Sequence, residues 1–288
     1  MSGSPADSIQ LGTQSAERAR FAELVTTSGG FEAIPLAEAA LWLAAEDYEH
    51  LDVEYYLRRL DDLGAEAAQA LAEFDDETER IVGLNEFLFQ GKRFIGNQSD
   101  YYDPRNSFLN EVLERRTGIP ITLSILYIEV ATRVGIQVEG VGFPGHFLVR
   151  AGENGLMIDP FGGRVLTRKD CLELLREVAG ERAQIEDHHM AQVSAGQILA
   201  RMLANLKQIY LQNEEYARAL SCIERVLLLM PGSPLELRDR GLIFAKLECF
   251  GPALVDLEAF LEQVDEKRVP ESVLELIEDL RTRVRQIH

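Results

Sequence analysis

The sequence predicts an α+β domain followed by an all-α module of helical repeats. Amphipathic helical patterns come first, and a helix that is apolar on nearly every face then leads into short β-type runs. Glycine and proline punctuate those runs, as is typical of an antiparallel sheet. From about residue 193 onward the pattern is helical throughout and repeats at a fixed spacing. Helices first and sheet second within one domain indicate an α+β layout.

Length and composition indicate two folded domains. The chain has 288 residues, of which 46% are hydrophobic and 27% charged, and domains commonly contain about 100–200 residues. Residues 1–20 are rich in small and polar side chains without periodicity, so we expect a flexible lead-in. We expect the α+β domain over residues 21–192 and the helical module over residues 193–288.

The charge and the cysteines narrow the classes of function. A formal net charge of −19 repels phosphate backbones and anionic lipid headgroups, which argues against nucleic-acid and membrane partners. No segment has the roughly 20 apolar residues of a membrane span, and the N-terminus lacks the pattern of an export signal. The three cysteines are odd in number and far apart, which disfavours disulfides and zinc motifs and favours the cytoplasm. His188 and His189 are adjacent and not spaced to share a metal, so we expect neither metal nor cofactor.

A helical region and a long loop precede the sheet. Apolar residues recur at helical spacing over residues 35–90. The periodicity stops over residues 91–104, where a polar loop with three aromatic residues is longer than most connections. A helix over residues 107–116 should follow, ended by Gly118.

The central helix and the sheet come next. Residues 121–134 carry apolar side chains on nearly every face, which predicts a helix enclosed by protein. After Gly135 the period changes to that of strands, and a further helix is predicted over residues 169–178 with Thr167 as its N-cap. The predicted strands are residues 138–143, 146–150 and 156–159.

An internal repeat with a period of 34 residues occupies the C-terminal part. Aligning residues 200–233 with residues 234–267 superposes large apolar positions and an alanine position. This is the tetratricopeptide period, in which a small residue lets two antiparallel helices pack closely, and Gly241 stands where such a residue is favoured. Two repeats need capping, so we expect the helix over residues 271–287 to cover one end.

One segment of the first domain resembles the core of the transglutaminase-like superfamily. It covers residues 118–163 and reads GIPITLSILYIEVATRVGIQVEGVGFPGHFLVRAGENGLMIDPFGG. Together with YYDPRNSFLNEVLERRTGIP, which overlaps its start, it is similar more closely to the bacterial SirB1-type proteins. Those proteins pair such a domain with tetratricopeptide repeats, so the resemblance covers nearly all of the chain. It implies a papain-like α+β domain with a buried central helix.

The resemblance also implies three catalytic roles. Active members of the superfamily carry a cysteine at the start of the buried helix, a histidine on one strand and an aspartate on the next. The helix dipole and the imidazolium stabilise the thiolate, and the carboxylate orients the ring. His146 and Asp159 match the second and third roles. Pro120 stands at the cysteine position, where it suits the first turn of a helix but carries no nucleophile.

Three side chains are candidates to replace the cysteine. Thr122 and Ser124 follow the proline on the same helix, where a hydroxyl usually satisfies a carbonyl of the preceding turn. Cys171 falls in the helix predicted after the sheet, where a lone thiol is more often a small hydrophobic residue than a nucleophile. Cys222 and Cys249 fall on repeat helices, where we expect them in the core.

The residues of the site also have structural interpretations. His146 is compatible with a histidine hydrogen-bonded within the sheet, and Asp159 with a turn residue that accepts backbone hydrogen bonds. A second cluster ends the long loop, either as a binding surface that walls the cleft or as turn caps and core cover. Its members are Tyr101, Tyr102, Asp103, Arg105 and Asn106.

Two main hypotheses of function follow, and a third possibility is that the fold of the first domain merely supports the repeats. The first is a catalytically degenerate transglutaminase-like protein that acts as a protein-interaction, scaffold or regulatory module, with a protein or peptide partner. The second is a hydrolase or acyltransferase in which His146 and Asp159 work with Ser124, Thr122 or Cys171. A hydroxyl or thiol within about 2.6–3.2 Å of the His146 ring would favour the second hypothesis.

Overall fold

A helix stands where part of the flexible lead-in was expected. The computed structural model describes residues 15–287, so residues 1–14 of that predicted segment lie outside the described residues. Residues 16–20, expected to be flexible, belong to helix α1 (Ala16–Thr27). Ser15 caps this helix, since its Oγ accepts a hydrogen bond from the Arg18 amide at 3.2 Å. Phe21, fully buried, fixes the helix to the core, a tertiary contact that composition does not reveal.

Three helices confirm the helical pattern over residues 35–90. Aspartates cap two of them: Asp52 accepts a hydrogen bond from the Tyr55 amide and Asp76 from the Glu79 amide. The last helix continues as a π-helical turn. The elements are α2 (Leu36–Ala45), α3 (Val53–Ala70), α4 (Glu77–Glu86) and the turn Phe87–Gly91.

The long loop contains a short strand and leads into a helix that is shorter than predicted. Strand β1 (Ile95–Gly96) pairs in parallel with β2 (Thr117–Gly118). A 3₁₀ turn covers Pro104–Ser107, and α5 (Leu109–Arg115) follows instead of a helix over residues 107–116. Phe108, whose backbone is extended, separates the 3₁₀ turn from α5. Helix α5 ends at Arg116, which has a left-handed backbone conformation with φ 55°, rather than at the predicted Gly118.

Helix α6 (Pro120–Arg133) is the predicted central helix, and its burial is confirmed. Its first eight residues after the proline contribute seven buried side chains, two of them polar. Helices α2, α3 and α5 pack on one side of α6, and strands of the sheet pack on the other. Such a helix is buried over most of its length, which is why its sequence is apolar on nearly every face.

Five antiparallel strands form the sheet, in the order β6-β5-β4-β3-β7. Three correspond to predicted strands, although β4 begins two residues later than expected because His146 lies in the preceding bend. The short edge strands β6 and β7 were not predicted. The strands are β3 (Val138–Val141), β4 (Leu148–Ala151), β5 (Leu156–Asp159), β6 (Arg164–Leu166) and β7 (Gln192–Val193).

Helix α7 (Arg168–Ala179) follows β6 and confirms the predicted N-cap. The Thr167 Oγ1 accepts a hydrogen bond from the Asp170 amide at 3.3 Å, and the Asp170 carboxylate accepts one from the Thr167 amide at 2.7 Å. Cys171 and its neighbours on this helix belong to one core cluster with residues of β3, β4, β5 and β6.

The chain forms two compact units, residues 15–202 and residues 203–287. The division falls inside α8 (Ala195–Gln212) rather than near Gln192, because the start of α8 packs on the sheet. A Cβ on Gly140 of β3 would lie 3.1 Å from the Ile198 Cδ1. Within residues 15–287 no helix is long and apolar enough to cross a membrane.

The second unit is entirely helical and confirms the repeat. The repeat favours a small residue at Gly241 because two helices pack closely there: a Cβ on Gly241 would lie 2.7 Å from the Leu257 Cγ. The last helix packs against α11 and buries Ile277 and Leu280. The helices after α8 are α9 (Tyr216–Leu229), α10 (Pro234–Lys246), α11 (Phe250–Leu261) and α12 (Glu271–Ile287).

A buried ion cluster joins α8 to α10 in the second unit. The Lys207 Nζ lies 2.8 Å from the Glu236 Oε1 and 2.7 Å from the Asp239 Oδ2, and Lys207 is only 8% exposed. Burial alone would lower the pKa of Lys207, but hydrogen bonds to Asp239 and Glu236 outweigh it and raise the pKa. The ammonium group therefore holds two carboxylates that would otherwise repel each other.

Replacement of Lys207 by methionine should destabilise the protein by about 3–5 kcal/mol, because two carboxylates lose their buried counter-ion. Since the folded-state pKa is raised, the stabilisation is complete below the ordinary lysine pKa of about 10.4 and is lost as pH rises through the folded value. Urea unfolding followed by circular dichroism, at pH 8 and above pH 10, measures both effects. Lys246→Met on α10 is the exposed control and should leave the midpoint nearly unchanged; an equal loss in both variants would contradict the assignment.

Candidate functional site

Pro120 occupies the first position of α6. The backbone groups around it have hydrogen-bond partners that do not include a nucleophilic side chain at this position. Proline has no N–H to leave unpaired at a helix start. The Thr122 Oγ1 accepts a hydrogen bond from the Ile119 amide at 3.2 Å and donates to the Asn106 carbonyl at 2.6 Å. Thr122 is fully buried. Through its bond to the Asn106 carbonyl, its hydroxyl joins α6 to the end of the long loop.

The other two candidate nucleophiles are also engaged in the interior. Ser124 is fully buried, and its Oγ donates to the Phe147 carbonyl at 3.3 Å. Cys171 is 1% exposed, and burial raises the pKa of its thiol, which keeps the group protonated and weakly nucleophilic. Among residues 15–287, no hydrogen bond joins Thr122, Ser124 or Cys171 to the His146 ring.

His146 lies in a tight bend between β3 and β4. The bend needs Gly145, whose φ is 72° and whose Cβ position lies 2.5 Å from the Val178 Cγ2. The His146 amide donates to the Phe143 carbonyl at 3.0 Å, and the His146 carbonyl accepts from the Arg201 Nη2 at 2.9 Å. The backbone of His146 is thus fixed from both sides, and its side chain is half-buried.

Asp159 ends β5, at the same end of the sheet as His146. The β4–β5 pairing runs to Val149 opposite Ile158, so one further step brings the start of β4 beside Asp159. The Asp159 Oδ1 accepts hydrogen bonds from the Phe161 amide at 3.1 Å and the Gly162 amide at 2.9 Å. Its carboxylate therefore stabilises the turn into β6, which is the structural interpretation of this residue.

A further ion pair fixes the Asp159 carboxylate, and the position of this carboxylate explains why Gly162 is a glycine. The Asp159 Oδ2 lies 3.5 Å from the Arg164 Nε. A Cβ on Gly162 would approach the same oxygen to 2.4 Å, so the turn requires glycine there. Among the described residues no hydrogen bond joins Asp159 to His146. The two residues share one end of the sheet without forming the hydrogen-bonded pair of a catalytic triad.

The cluster at the end of the long loop divides into a buried scaffold and an exposed surface. Asn106 is fully buried, with its Nδ2 donating to the Asp100 carbonyl at 2.7 Å. Asp103 caps the 3₁₀ turn and pairs with Arg105 and Arg115 at 2.8 and 3.3 Å. Burial would raise the pKa of Asp103, but hydrogen bonds from Arg105 outweigh it and hold that pKa below its usual range. Asp103 and Asn106 thus act as turn and capping residues.

The tyrosines of this cluster do not cover the core. Tyr101 is 40% exposed and Tyr102 is 62% exposed, and their rings meet edge to face at 5.4 Å. Tyr101 also lies 6.1 Å from the Phe161 ring in the Asp159 turn. Gly96 brings the loop backbone against that turn, since a Cβ there would lie 2.5 Å from Phe161. The loop and the turn together form an aromatic surface.

A separate cavity of about 760 Å³ opens at the opposite end of the β3–β4 hairpin. Its lining includes Gln137, Glu139, Arg150 and Gln192. The Arg150 Nε donates to the Glu139 Oε2 at 2.9 Å, so the two charges in its wall neutralise each other. None of the residues predicted for the site lines this cavity.

Comparison with known proteins identifies the family. A family model described as the transglutaminase-like superfamily matches residues 54–204, and a tetratricopeptide-repeat model matches residues 206–278. A UPF0162 protein of Xylella fastidiosa is 39% identical over 238 residues, which are 80% of this chain and 84% of that protein. Protein SirB1 of Salmonella typhimurium is 29% identical over 253 residues, 84% of this chain and 91% of SirB1. The chain belongs to the SirB1/UPF0162 family of transglutaminase-like proteins.

The family likeness extends in part to a eukaryotic protein. F-box only protein 21 of the mouse is 35% identical over 147 residues, which are 47% of this chain and 22% of that protein. No solved structure gives a significant match. The resemblance found in the sequence is thereby confirmed for the SirB1/UPF0162 family, including the order of its two domains.

In this SirB1/UPF0162 chain, the predictions made from sequence did not include Arg201, a residue that adjoins the site. Arg201 lies in the part of α8 that belongs to the first unit, and it contacts the His146 carbonyl. Nothing in the local pattern marks it, because a single arginine on an amphipathic helix normally faces solvent. Only the packing of α8 on the sheet brings it near the loop and bend residues.

Thr122→Val should destabilise the first unit by about 1–3 kcal/mol, because it leaves the Asn106 carbonyl and the Ile119 amide without their partner. Fluorescence of Trp42, the single tryptophan, reports urea unfolding of this unit. Thr132→Val is the matched control on α6, since the exposed Thr132 hydroxyl bonds only the Ile128 carbonyl. Equal midpoints for the two variants would contradict the structural role of Thr122.

Asp159→Ala should cost about 1–3 kcal/mol, because the Phe161 and Gly162 amides lose their acceptor. Asp159→Asn retains an acceptor oxygen in the same position and should cost clearly less. The same Trp42 unfolding measurement compares the two. If the asparagine variant proved as unstable as the alanine variant, charge rather than the turn would be the function of this side chain.

Proposed function

We propose that this SirB1/UPF0162 protein is a non-catalytic transglutaminase-like protein that acts as a protein-interaction, scaffold or regulatory module in the cytoplasm. The observation that carries the proposal is Pro120 at the first position of α6, where active members of the superfamily carry the cysteine nucleophile. Proline supplies neither a thiolate nor a backbone donor, so acyl transfer lacks its attacking group.

The engagement of the substitute residues supports the same proposal. A hydroxyl acts as a nucleophile when an adjacent base can accept its proton. The Thr122 and Ser124 hydroxyls instead bond to backbone carbonyls, and both are fully buried. Asp159, which would orient the histidine, bonds to the backbone of its own turn. No observation favours the rival hydrolase or acyltransferase.

The interaction role draws its support from the second unit. Tetratricopeptide repeats suggest protein–protein interaction, and a transglutaminase-like domain followed by such repeats supports a protein-interaction module. Apolar side chains remain exposed on this unit, among them Met230 (46%), Leu235 (58%) and Val255 (67%). We propose a protein or peptide partner; the net charge of −19 supports neither nucleic acid nor anionic membrane.

The purified full chain should incorporate no amine into a glutamine-bearing acceptor and should cleave no peptide above the background of His146→Ala. The assays are incorporation of dansylcadaverine into dimethylcasein and fluorogenic peptide hydrolysis, with an active transglutaminase as the positive control. A fluorophosphonate probe should likewise leave Ser124 unlabelled, because its hydroxyl is buried and has no base beside it. Turnover that disappears in His146→Ala would overturn the proposal.

A further inference from the structure

Arg201 places a half-buried positive charge beside the bend that carries His146. Its Nη2 donates to the His146 carbonyl at 2.9 Å. The centre of its guanidinium lies 5.4 Å from the Phe147 ring centroid, a cation–π distance. Its Nη1 lies 3.6 Å from the Cβ position of Gly142, so a side chain at that position would contact the guanidinium. The charge is therefore held in a defined place by the bend, the ring and the strand end.

No carboxylate within residues 15–287 pairs with Arg201. Two other partly buried arginines do have such partners: Arg133 pairs with Glu129 at 2.6 Å, and Arg240 pairs with Asp256 at 2.6 Å. The chain carries 48 aspartates and glutamates against 29 lysines and arginines, so acidic partners are abundant elsewhere. Burial lowers the pKa of Arg201, which reflects desolvation that no carboxylate offsets.

The hydrogen-bonding capacity of Arg201 is largely unused. A guanidinium has five N–H donors in a fixed fork, and the hydrogen bonds of the described residues engage one of its nitrogens. None of the Arg201 nitrogens belongs to the buried atoms without a partner among the described residues. The remaining donors are thus open to solvent and to a ligand.

Tyr101, one residue of the aromatic surface, lies within electrostatic reach of this charge. Burial raises the pKa of Tyr101, and the positive charge of Arg201 acts on that pKa in the opposite direction. Tyr101 and Tyr102 both present large exposed rings. A ligand that places an anion on Arg201 would have apolar ring faces available alongside it.

We propose that Arg201 anchors a carboxylate-binding site, which receives a peptide carboxylate while Tyr101 and Tyr102 contact the adjoining side chain. A planar carboxylate fits one guanidinium fork with two parallel hydrogen bonds. Phosphate-rich ligands gain their affinity from several cations, whereas the contacts described above fix one cation, Arg201. The proposal rests on the proposed function, because it gives the interaction module a ligand at the site that lacks its nucleophile.

Titration of the full chain with small probes, followed by the Arg201 Nε–Hε signal in NMR, tests this site. N-acetylphenylalanine supplies an α-carboxylate with an aromatic group, and its amide is the uncharged counterpart. N-acetylglutamic acid α-amide carries only a side-chain carboxylate and distinguishes an acidic side chain from a chain terminus. We expect the carboxylate probes to shift the signal in saturable fashion and the amide to have no effect.

The variants are compared through the backbone amide signal of His146, which all of them retain. Arg201→Gln should weaken binding of the carboxylate probes about ten- to hundredfold, the value of a charge-assisted hydrogen-bonded pair. Arg80→Gln is the matched control: it removes the same charge from a half-buried arginine of the same unit, one that donates to the Val134 carbonyl at 2.7 Å. It should leave binding unchanged. Arg201→Lys keeps the charge without the fork and should restore binding only in part.

Several outcomes would overturn the carboxylate site. These are no saturable shift with any carboxylate probe, equal binding of acid and amide, or equal weakening by the Arg201 and Arg80 variants. The comparison of acid with amide uses the unaltered protein, so it stands even if Arg201→Gln fails to fold. A protein that binds no carboxylate yet shows no turnover would refute this site alone, whereas turnover dependent on His146 would refute the proposed function.

Discussion

Burial of α6 on nearly every face is the constraint on which the first unit depends. A helix that is apolar on nearly every face must be enclosed, and here helices α2, α3 and α5 cover one side while β3 and β4 cover the other. The N-terminus of α6 consequently lies where the long loop and the start of β4 converge. Thr122 reaches the loop through the Asn106 carbonyl, and Ser124 reaches the strand through the Phe147 carbonyl. Enclosure of this one helix thus determines where the candidate site is formed.

The same enclosure dictates how the polar groups around α6 are used. Buried donors and acceptors must be paired, and a group committed to one partner is not available for another without leaving a partner unsatisfied. The hydroxyls of Thr122 and Ser124 and the carboxylate of Asp159 satisfy backbone groups at the junctions of helix, loop and turn. Pro120 fits this pattern because it brings no donor to the helix start. These hydrogen bonds therefore hold the helix, the loop and the turn together.

The features that follow from a sequence period were predictable, and those that depend on long-range packing were not. The apolar surface of α6 and the 34-residue register specify their elements directly. The family resemblance assigned His146 and Asp159 to successive strands, but it did not reveal that the Asp159 carboxylate accepts hydrogen bonds from the amides of its own turn. Helix α1 and the two-residue strand β7 depend on tertiary contacts, which cannot be predicted from short polar segments of sequence. Arg201 is the clearest case, because its surroundings come from three separate segments.

Arg201 holds a partly buried positive charge without a carboxylate partner among residues 15–287. Taking a charge partly out of water costs free energy, and the protein offsets this elsewhere with a carboxylate, as it does for Arg133. Beside His146 the offset consists of one backbone carbonyl and the face of Phe147. Uncompensated groups of this kind persist where function retains them, since a carboxylate at a neighbouring position would stabilise the fold. A peptide carboxylate bound at the proposed site would supply the negative charge that no carboxylate of residues 15–287 supplies to Arg201.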